Sequence, residues 1–275
     1  MEYYRKLGVD HFILVDNESE DDFRGITSGQ EDVTSFHAKG SYKDANFGMH
    51  WANYLLRKYG SGHWCLTCDP DEFIVYPEME SRGLHELTDY LASIREESFF
   101  SCMIDMYGDK PIEFCHYKQG TDPLDVCPYF DRFGYAKTYI DDLRNVWVQG
   151  GVRRRVFSSA NPSGAPALNK IPLVKWQRHF AYVESMHMAI PRRLNESISR
   201  NKTTGALLHF KFISQLRQKV DEELEAKQHF NDSAEYKRYD VLINSHQTLF
   251  CPSVSGRYEN WRTLVRLGLM NKGEW

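Results

Sequence analysis

The segment with the clearest chemistry is Asp69-Pro70-Asp71, which closes the apolar run Trp64-Cys-Leu-Thr-Cys68. Two aspartates flanking one residue offer hard oxygen ligands to Mg²⁺ or Mn²⁺. Such an ion keeps several waters and bridges substrate phosphates, so one or two protein carboxylates suffice. A lone Asp-x-Asp is most often a solvated turn. Here the preceding run is wholly apolar, which puts the carboxylates on the rim of a buried strand. Glu72, next in the chain, reads as pointing away and holding the loop. A second acidic segment, Asp16 to Asp22, follows the apolar run His11-Phe-Ile-Leu-Val15 in the same way. The alternative for Asp16 is a turn-forming aspartate that accepts backbone N–H groups.

Two later segments add polar groups. In Gly205-Ala-Leu-Leu-His-Phe-Lys-Phe212, strand alternation puts His209 and Lys211 on one face, and Leu208 and Phe210 on the other. A neutral imidazole can complete a metal shell and an ammonium can meet a diphosphate. The competing reading is a core histidine beside a lysine whose stem lies along apolar surface. Arg153, Arg154 and Arg155 follow Gly150-Gly151. They either hold anionic oxygens in bidentate fashion or open a helix with solvated guanidiniums, and the spacing does not choose among the three.

The elements that must position these groups alternate. After the run at 11–15, apolar positions Trp51, Ala52, Leu55, Leu56 and Tyr59 mark a helix that Ser41 can cap and that Gly60 and Gly62 stop. The strand at 64–68 follows, then a helix carrying Leu84, Leu87, Leu91 and Ile94. A strand from Phe99 to Tyr107 puts Phe100, Cys102, Ile104 and Met106 on one face and Asp105 on the other. This alternation is the pattern of a doubly wound α/β sheet, whose ligands sit at the C-terminal strand ends. Residues 108–180 are irregular and rich in Gly, Pro and aromatics. Beyond residue 215, Leu216, Val220 and Leu224 mark a helix, and Ser233 can cap another through Tyr236, Tyr239 and Leu242.

The 275 residues suit one large α/β domain. Thirty-four Lys and Arg against 38 Asp and Glu leave a net charge of −4, which argues against gripping nucleic acid by bulk charge. No apolar stretch reaches the roughly 18 residues of a spanning helix, and the N-terminus lacks a signal pattern. The six cysteines are scattered. Cys65 and Cys68 point to opposite faces of a strand, so buried reduced thiols are expected rather than zinc or a redox pair. Without a signal the sequons at Asn17, Asn195, Asn201 and Asn231 carry no meaning, and a cytoplasmic location is expected.

Val15-Asp-Asn-Glu-Ser-Glu-Asp21 resembles the V-D-[DN]-x-S-x-D segment of family-2 glycosyltransferases, and His63 to Phe73 resembles their strand ending in D-x-D. Gly150 to Phe157, Lys170 to Trp176 and Ala206 to Phe212 are similar to blocks of a bacterial subgroup with a D-x-D-E-F signature. The likeness runs in order along nearly the whole chain. It implies a GT-A-like fold: a Rossmann-like, mostly parallel central sheet flanked by helices, with a helical C-terminal region. Residues 1–215 would be the transferase domain, with the nucleotide-sugar half at about 1–110 and the acceptor half at about 111–215. Residues 216–275 would be a helical extension packed on the same domain. That family normally starts with one more strand and a polar loop. Met1 to Gly8 reads as the helix after it, so the family's first strand is expected to be missing.

The resemblance further implies Mn²⁺ or Mg²⁺ and a nucleotide-sugar donor, most commonly UDP-linked. The acceptor would be a glycan or a lipid-linked molecule, and transfer would invert the anomeric centre. The setting would be surface polysaccharide assembly at the inner face of the cytoplasmic membrane, with peripheral membrane association. Carried over, Asp16 would contact the donor base or ribose, with Asn17 beside it. Asp69 would contact ribose or metal, Asp71 would be the main metal ligand and His209 a late one. Lys211 would meet the diphosphate. Arg153, read from its residue type rather than the resemblance, would make a donor-diphosphate or acceptor-side contact. An inverting transfer needs a carboxylate to take the acceptor proton. Candidates are Asp105, Asp131 and Glu184, each rivalled by a purely structural role. His187 would bond the acceptor or support its loop. Trp147, Trp176 and Tyr135 would stack on sugars or fill core. Two other classes use the same features: a metal-dependent nucleotidyl- or phosphotransferase, and a truncated, non-catalytic glycan-binding relative.

Overall fold

The structure, a computed structural model, describes residues 1–19, 22–198, 202–226 and 230–275. Elements follow in chain order: α1 (Glu2–Leu7), β1 (Phe12–Asp16), α2 (Phe23–Thr27), β2 (Val33–His37), α3 (Met49–Leu55), β3 (Trp64–Leu66) and β4 (Glu72–Val75). Next come α4 (Leu84–Ser93), β5 (Ser98–Asp105), β6 (Tyr129–Asp131), β7 (Ala136–Ile140), β8 (Asn145–Gln149) and β9 (Asn169–Lys175). The chain ends with β10 (Ala181–Tyr182), β11 (Ala189–Ile190), β12 (Gly205–His209), α5 (Leu216–Ala226), α6 (Phe230–Asn244), β13 (Ser255–Arg257) and α7 (Trp261–Arg266).

The fold is mixed α/β. Its central sheet has the order β3-β9-β5-β12-β4. Only β5 and β12 run parallel; β3–β9, β9–β5 and β12–β4 are antiparallel. The expected mostly parallel sheet is therefore corrected. The strand–helix alternation was read from the first 110 residues, whereas two of the three inner strands, β9 and β12, come from later segments. Local periodicity identifies a strand but not its neighbour. The strands β1 and β2 pair parallel in a separate two-stranded sheet. Ile13 and Val15 are 38% and 36% exposed there, so β1 is not the doubly buried strand that its apolar run suggests.

All eight residues of β5 are buried, which places it at the centre of the core. Phe100, Cys102, Ile104 and Met106 join Leu208, Trp261 and Leu264 in one apolar cluster. Phe99 joins Ile74, Leu87 and Leu207 in another. In α4 the buried Leu84, Leu87 and Leu91 follow the helical period, and Ile94 lies exposed just past the helix end. A Cβ on Gly205, at the start of β12, would fall 2.6 Å from Phe99 and 2.8 Å from the Val75 carbonyl oxygen. Only glycine lets the three strands approach this closely.

Two helix starts differ from expectation. The helix α3 begins at Met49, because Asn46, Phe47 and Gly48 take positive φ values and break the chain there. Ser41 instead caps a turn, its hydroxyl accepting the Asp44 N–H at 3.1 Å. Ser233 lies inside α6 rather than ahead of it, and its side chain is outside the described residues. Leu216, Val220, Tyr236, Tyr239 and Leu242 pack with Phe157 and Phe212 in a cluster of their own. The C-terminal segment also supplies a strand, β13, which pairs with β6. All six cysteines are free thiols. Among the described residues no helix is long and apolar enough to cross a membrane.

Candidate functional site

The sheet register assembles the site. His209, the last residue of β12, lies level with Asp105 at the end of β5 and with Glu72 at the start of β4. The Asp71 carbonyl accepts the Phe210 N–H at 2.9 Å, so the acidic turn is tied to the end of β12. His209 Nδ1 lies 2.7 Å from Asp105 Oδ1, and Nε2 lies 3.5 Å from Asp71 Oδ2. Arg153 Nε donates to Asp105 Oδ2 at 2.9 Å. The result is a charge-alternating row, Asp71–His209–Asp105–Arg153, in which only Asp71 retains notable exposure, 30% at its side chain.

A second clamp holds the other half of the acidic turn. Lys170 of β9 is buried; it forms an ion pair with the buried Glu72 and reaches Asp69 Oδ2 at 3.2 Å. The Asp69 N–H donates to Glu72 Oε2 at 3.2 Å. Glu72 thus anchors the loop, while the Asp69 side chain stays 55% exposed. No motif in the sequence marks Lys170 as a site residue. The available signal was a lysine set in the apolar run Ile171-Pro-Leu-Val174, a position that demands a buried counter-charge.

Electrostatics follow from this packing. Burial opposes the charge on His209, but the Asp71 carboxylate and the hydrogen bond to Asp105 outweigh it and hold the ring up to about 9. Burial likewise opposes charge on Asp105, and Arg153 with His209 holds it down to about 2. Burial acts against the charge of Asp71 as well, yet His209, with Lys219 and Lys211, keeps it well below the usual carboxylate range. For Lys170 burial works against the ammonium, and Asp69 and Glu72 overcome it and raise it. His187 behaves oppositely: burial, reinforced by Lys170, pushes it down to about 4. Its Nδ1 lies 2.6 Å from the Asn169 carbonyl oxygen. The neutral ring donates there and keeps Nε2 as an acceptor.

These shifts set a stability profile. A group whose folded value is raised stabilises fully below its unfolded value and loses that contribution as pH rises through the folded one. In metal-free buffer the His209 contribution, on the order of 3 kcal/mol, is expected to be complete below about 6.5 and gone above about 9. Asp105 has the opposite sign: its contribution holds above 3.8 and disappears as pH falls through about 2. Thermal melts should therefore show a plateau between about pH 4 and 6.5 and a decline toward pH 9. A melting temperature that rises from pH 6.5 to 9 would contradict the paired imidazolium.

The residues present fit a divalent ion in part. Metal–ligand bonds to oxygen and nitrogen run about 2.0–2.2 Å, so Asp71 and His209, 3.5 Å apart, can share one ion when it displaces the Nε2 proton that His209 carries in the metal-free protein. Asp105 on Nδ1 is the carboxylate partner that metal-bound histidines usually have. Among the described residues no group of three or more His, Cys, Asp and Glu forms a ready-made cage. The expected trio Asp69, Asp71 and His209 is not preassembled, because Asp69 leans on Lys170.

The remaining candidates are dispersed. Asp16 accepts the Ser19 N–H at 3.0 Å and pairs with His37 Nδ1 at 3.0 Å. The Ser19 bonds, and then His37, lower it. Asn17 donates to the carbonyls of Ala38 and Gly40. Both therefore stabilise the acidic loop; Glu20 and Asp21 lie outside the described residues. Lys211 does not line up beside His209, since β12 ends there; its ammonium sits 5.0 Å and 4.9 Å from the rings of Tyr236 and Tyr239. Asp131 is buried and takes both forks of Arg155, at 2.7 and 2.9 Å, and the Tyr107 hydroxyl. Arg154 donates to the Gly134 carbonyl at 3.3 Å. Glu184 is exposed between β10 and β11. Trp176 is core, Trp147 lies 6.0 Å from the His187 ring, and the Tyr135 hydroxyl donates to the Asp131 carbonyl.

No protein-family model, curated protein or solved structure matches this chain.

Proposed function

We propose that the protein is a metal-dependent glycosyltransferase that moves a sugar from a nucleotide-diphosphate donor to a glycan or lipid-linked acceptor. The observation that carries this reading is Asp71 facing His209 across 3.5 Å at the rim of the central sheet, with the exposed Asp69 carboxylate beside them. The mixed α/β sheet and the resemblance of the Asp-x-Asp-Glu-Phe segment support a GT-A-like arrangement. Asp71 and His209 would hold Mn²⁺ or Mg²⁺ there, and the ion would supply positive charge for a departing diphosphate.

The protein's own groups have separate tasks. Asp105 holds His209 by Nδ1 and so aims Nε2 at Asp71. Arg153 keeps Asp105 charged. Lys170 and Glu72 fix the acidic turn. Of the three candidate bases, Asp105 and Asp131 are occupied by ion pairs, which leaves the exposed Glu184 as the carboxylate able to take an acceptor proton. His187, with Nε2 an acceptor, orients the same hydroxyl. The proposed setting is polysaccharide assembly at the inner face of the cytoplasmic membrane.

Product analysis with Mn²⁺ and a panel of nucleotide sugars tests the reading. Free nucleoside diphosphate that ceases on chelation is expected. Release of pyrophosphate instead would assign the same carboxylates to nucleotidyl transfer. Glycan binding without metal or turnover would make the chain a binding relative.

A further inference from the structure

A groove of about 760 Å³ lies away from the carboxylates, lined by Tyr54, Arg57, Lys58, Ser61, Arg178 and His179. Its walls are the end of α3, the π-helical turn Leu56–Gly60 that continues it, and the loop after β9. The β3–β9 register locates it. Trp64 lies opposite Lys175 at the groove end, whereas Lys170 meets Asp69 at the other end of the same strand. Five residues of strand separate the two ends by roughly 17 Å.

The walls are fixed to each other. The Gly62 N–H donates to the Trp176 carbonyl and the Trp176 N–H to the His63 carbonyl, both at 2.8 Å. The Asn53 side chain bonds the Tyr182 N–H and carbonyl at 2.8 and 2.9 Å, pinning α3 to β10. The backbone of the groove is thus preformed, which removes part of the ordering cost of binding; the long exposed side chains still carry theirs.

Its charge is one-sided. Arg57, Lys58 and Arg178 are exposed, the His179 ring lies beside them, and among the described residues no carboxylate lines the groove. Among the described residues none of the three full cations forms an ion pair with a carboxylate. The chain as a whole is acidic at −4, so this concentration of cations is local. Lys58 Nζ also lies 5.6 and 5.1 Å from the rings of Tyr54 and Tyr59, both exposed. Neighbouring cations repel, and an anion placed among them offsets that repulsion. Guanidinium forks match phosphate oxygens in bidentate geometry.

We infer that this groove is a binding site for a phosphate group, carried on a soluble phosphate or diphosphate or on the headgroup of an anionic lipid. The site stands independently of the glycosyltransferase reading.

The test uses the full chain in chelator, so that no metal can recruit phosphate to the carboxylate rim. One arm titrates pyrophosphate by calorimetry. The other sediments the protein with phosphatidylglycerol–phosphatidylcholine vesicles and with phosphatidylcholine alone. The double variant Lys58→Glu, Arg178→Glu is compared in both arms, and melts confirm folding, since both positions are exposed. In whichever arm binds, the variant is expected to bind at least tenfold more weakly, while Asp71→Ala binds like the wild type. Pyrophosphate binding alone identifies a soluble ligand, and vesicle binding alone a headgroup. The inference is overturned if neither probe binds, if the charge-reversed protein binds as tightly as the wild type, or if Asp71→Ala weakens binding as much as the reversal does.

Discussion

Asp105→Ala is expected to destabilise the protein by about 3–5 kcal/mol, the usual cost of removing one partner from a buried ion pair. Asp105 is 3% exposed, and its two oxygens serve His209 and Arg153. Deleting it leaves the buried Arg153 guanidinium without this counter-charge and frees the His209 ring to rotate. Asp105→Asn keeps the shape and part of the hydrogen bonding, so its loss should be smaller. Urea midpoints for the two variants at pH 6 provide the measurement. A loss below 1 kcal/mol for the alanine variant would mean that solvent reaches Arg153 and that the row is not a buried network. The same variant is expected to weaken Mn²⁺ binding by about 10–100-fold, the typical effect of removing the partner of a metal-bound histidine.

Asp71→Ala is expected to weaken binding far more than stability. Its side chain is partly exposed, so its pairing with His209 is screened and its loss should cost less than loss of the buried Asp105, although it removes the main support of the His209 charge. It is nonetheless the carboxylate that faces His209. Loss of one of two protein donors should weaken Mn²⁺-dependent binding of a nucleoside diphosphate by at least about 100-fold, more than loss of a supporting group. Asp69→Ala should have the smaller effect, because Asp69 is more exposed and tethered to Lys170. Calorimetric titration of uridine diphosphate in the presence and absence of Mn²⁺ separates these outcomes. Tight metal-dependent binding by Asp71→Ala would remove this rim from consideration as the donor site.

The residues that were legible in advance share a local signature. Asp69 and Asp71 stood out because an apolar run stops directly before them, and the structure does put them in a turn between β3 and β4. The helix α4 and the strands β5 and β12 were likewise readable, since the 3.6- and 2-residue periods are properties of neighbouring positions. Asp16 and Asn17 had the same local signature, yet their side chains close their own loop. A motif therefore located a turn correctly without saying what the turn's side chains touch. The start of α3 departs from the local pattern for a related reason: three successive positive-φ residues override a good capping residue upstream.

Local pattern, then, determined the element types and the position of the acidic turn at a strand end. The tertiary structure alone decided which groups meet there. Arg153 and Asp105 are 48 residues apart, Lys170 and Asp69 are 101 apart, and His209 and Asp105 are 104 apart. Such pairs depend on strand order and register, which are chosen by burying apolar surface over the whole sheet rather than by any short stretch of chain. The same global choice reversed β9 and β4 in the sheet, turned Lys211 onto the tyrosines of α6, and gathered Arg57, Lys58 and Arg178 around one groove.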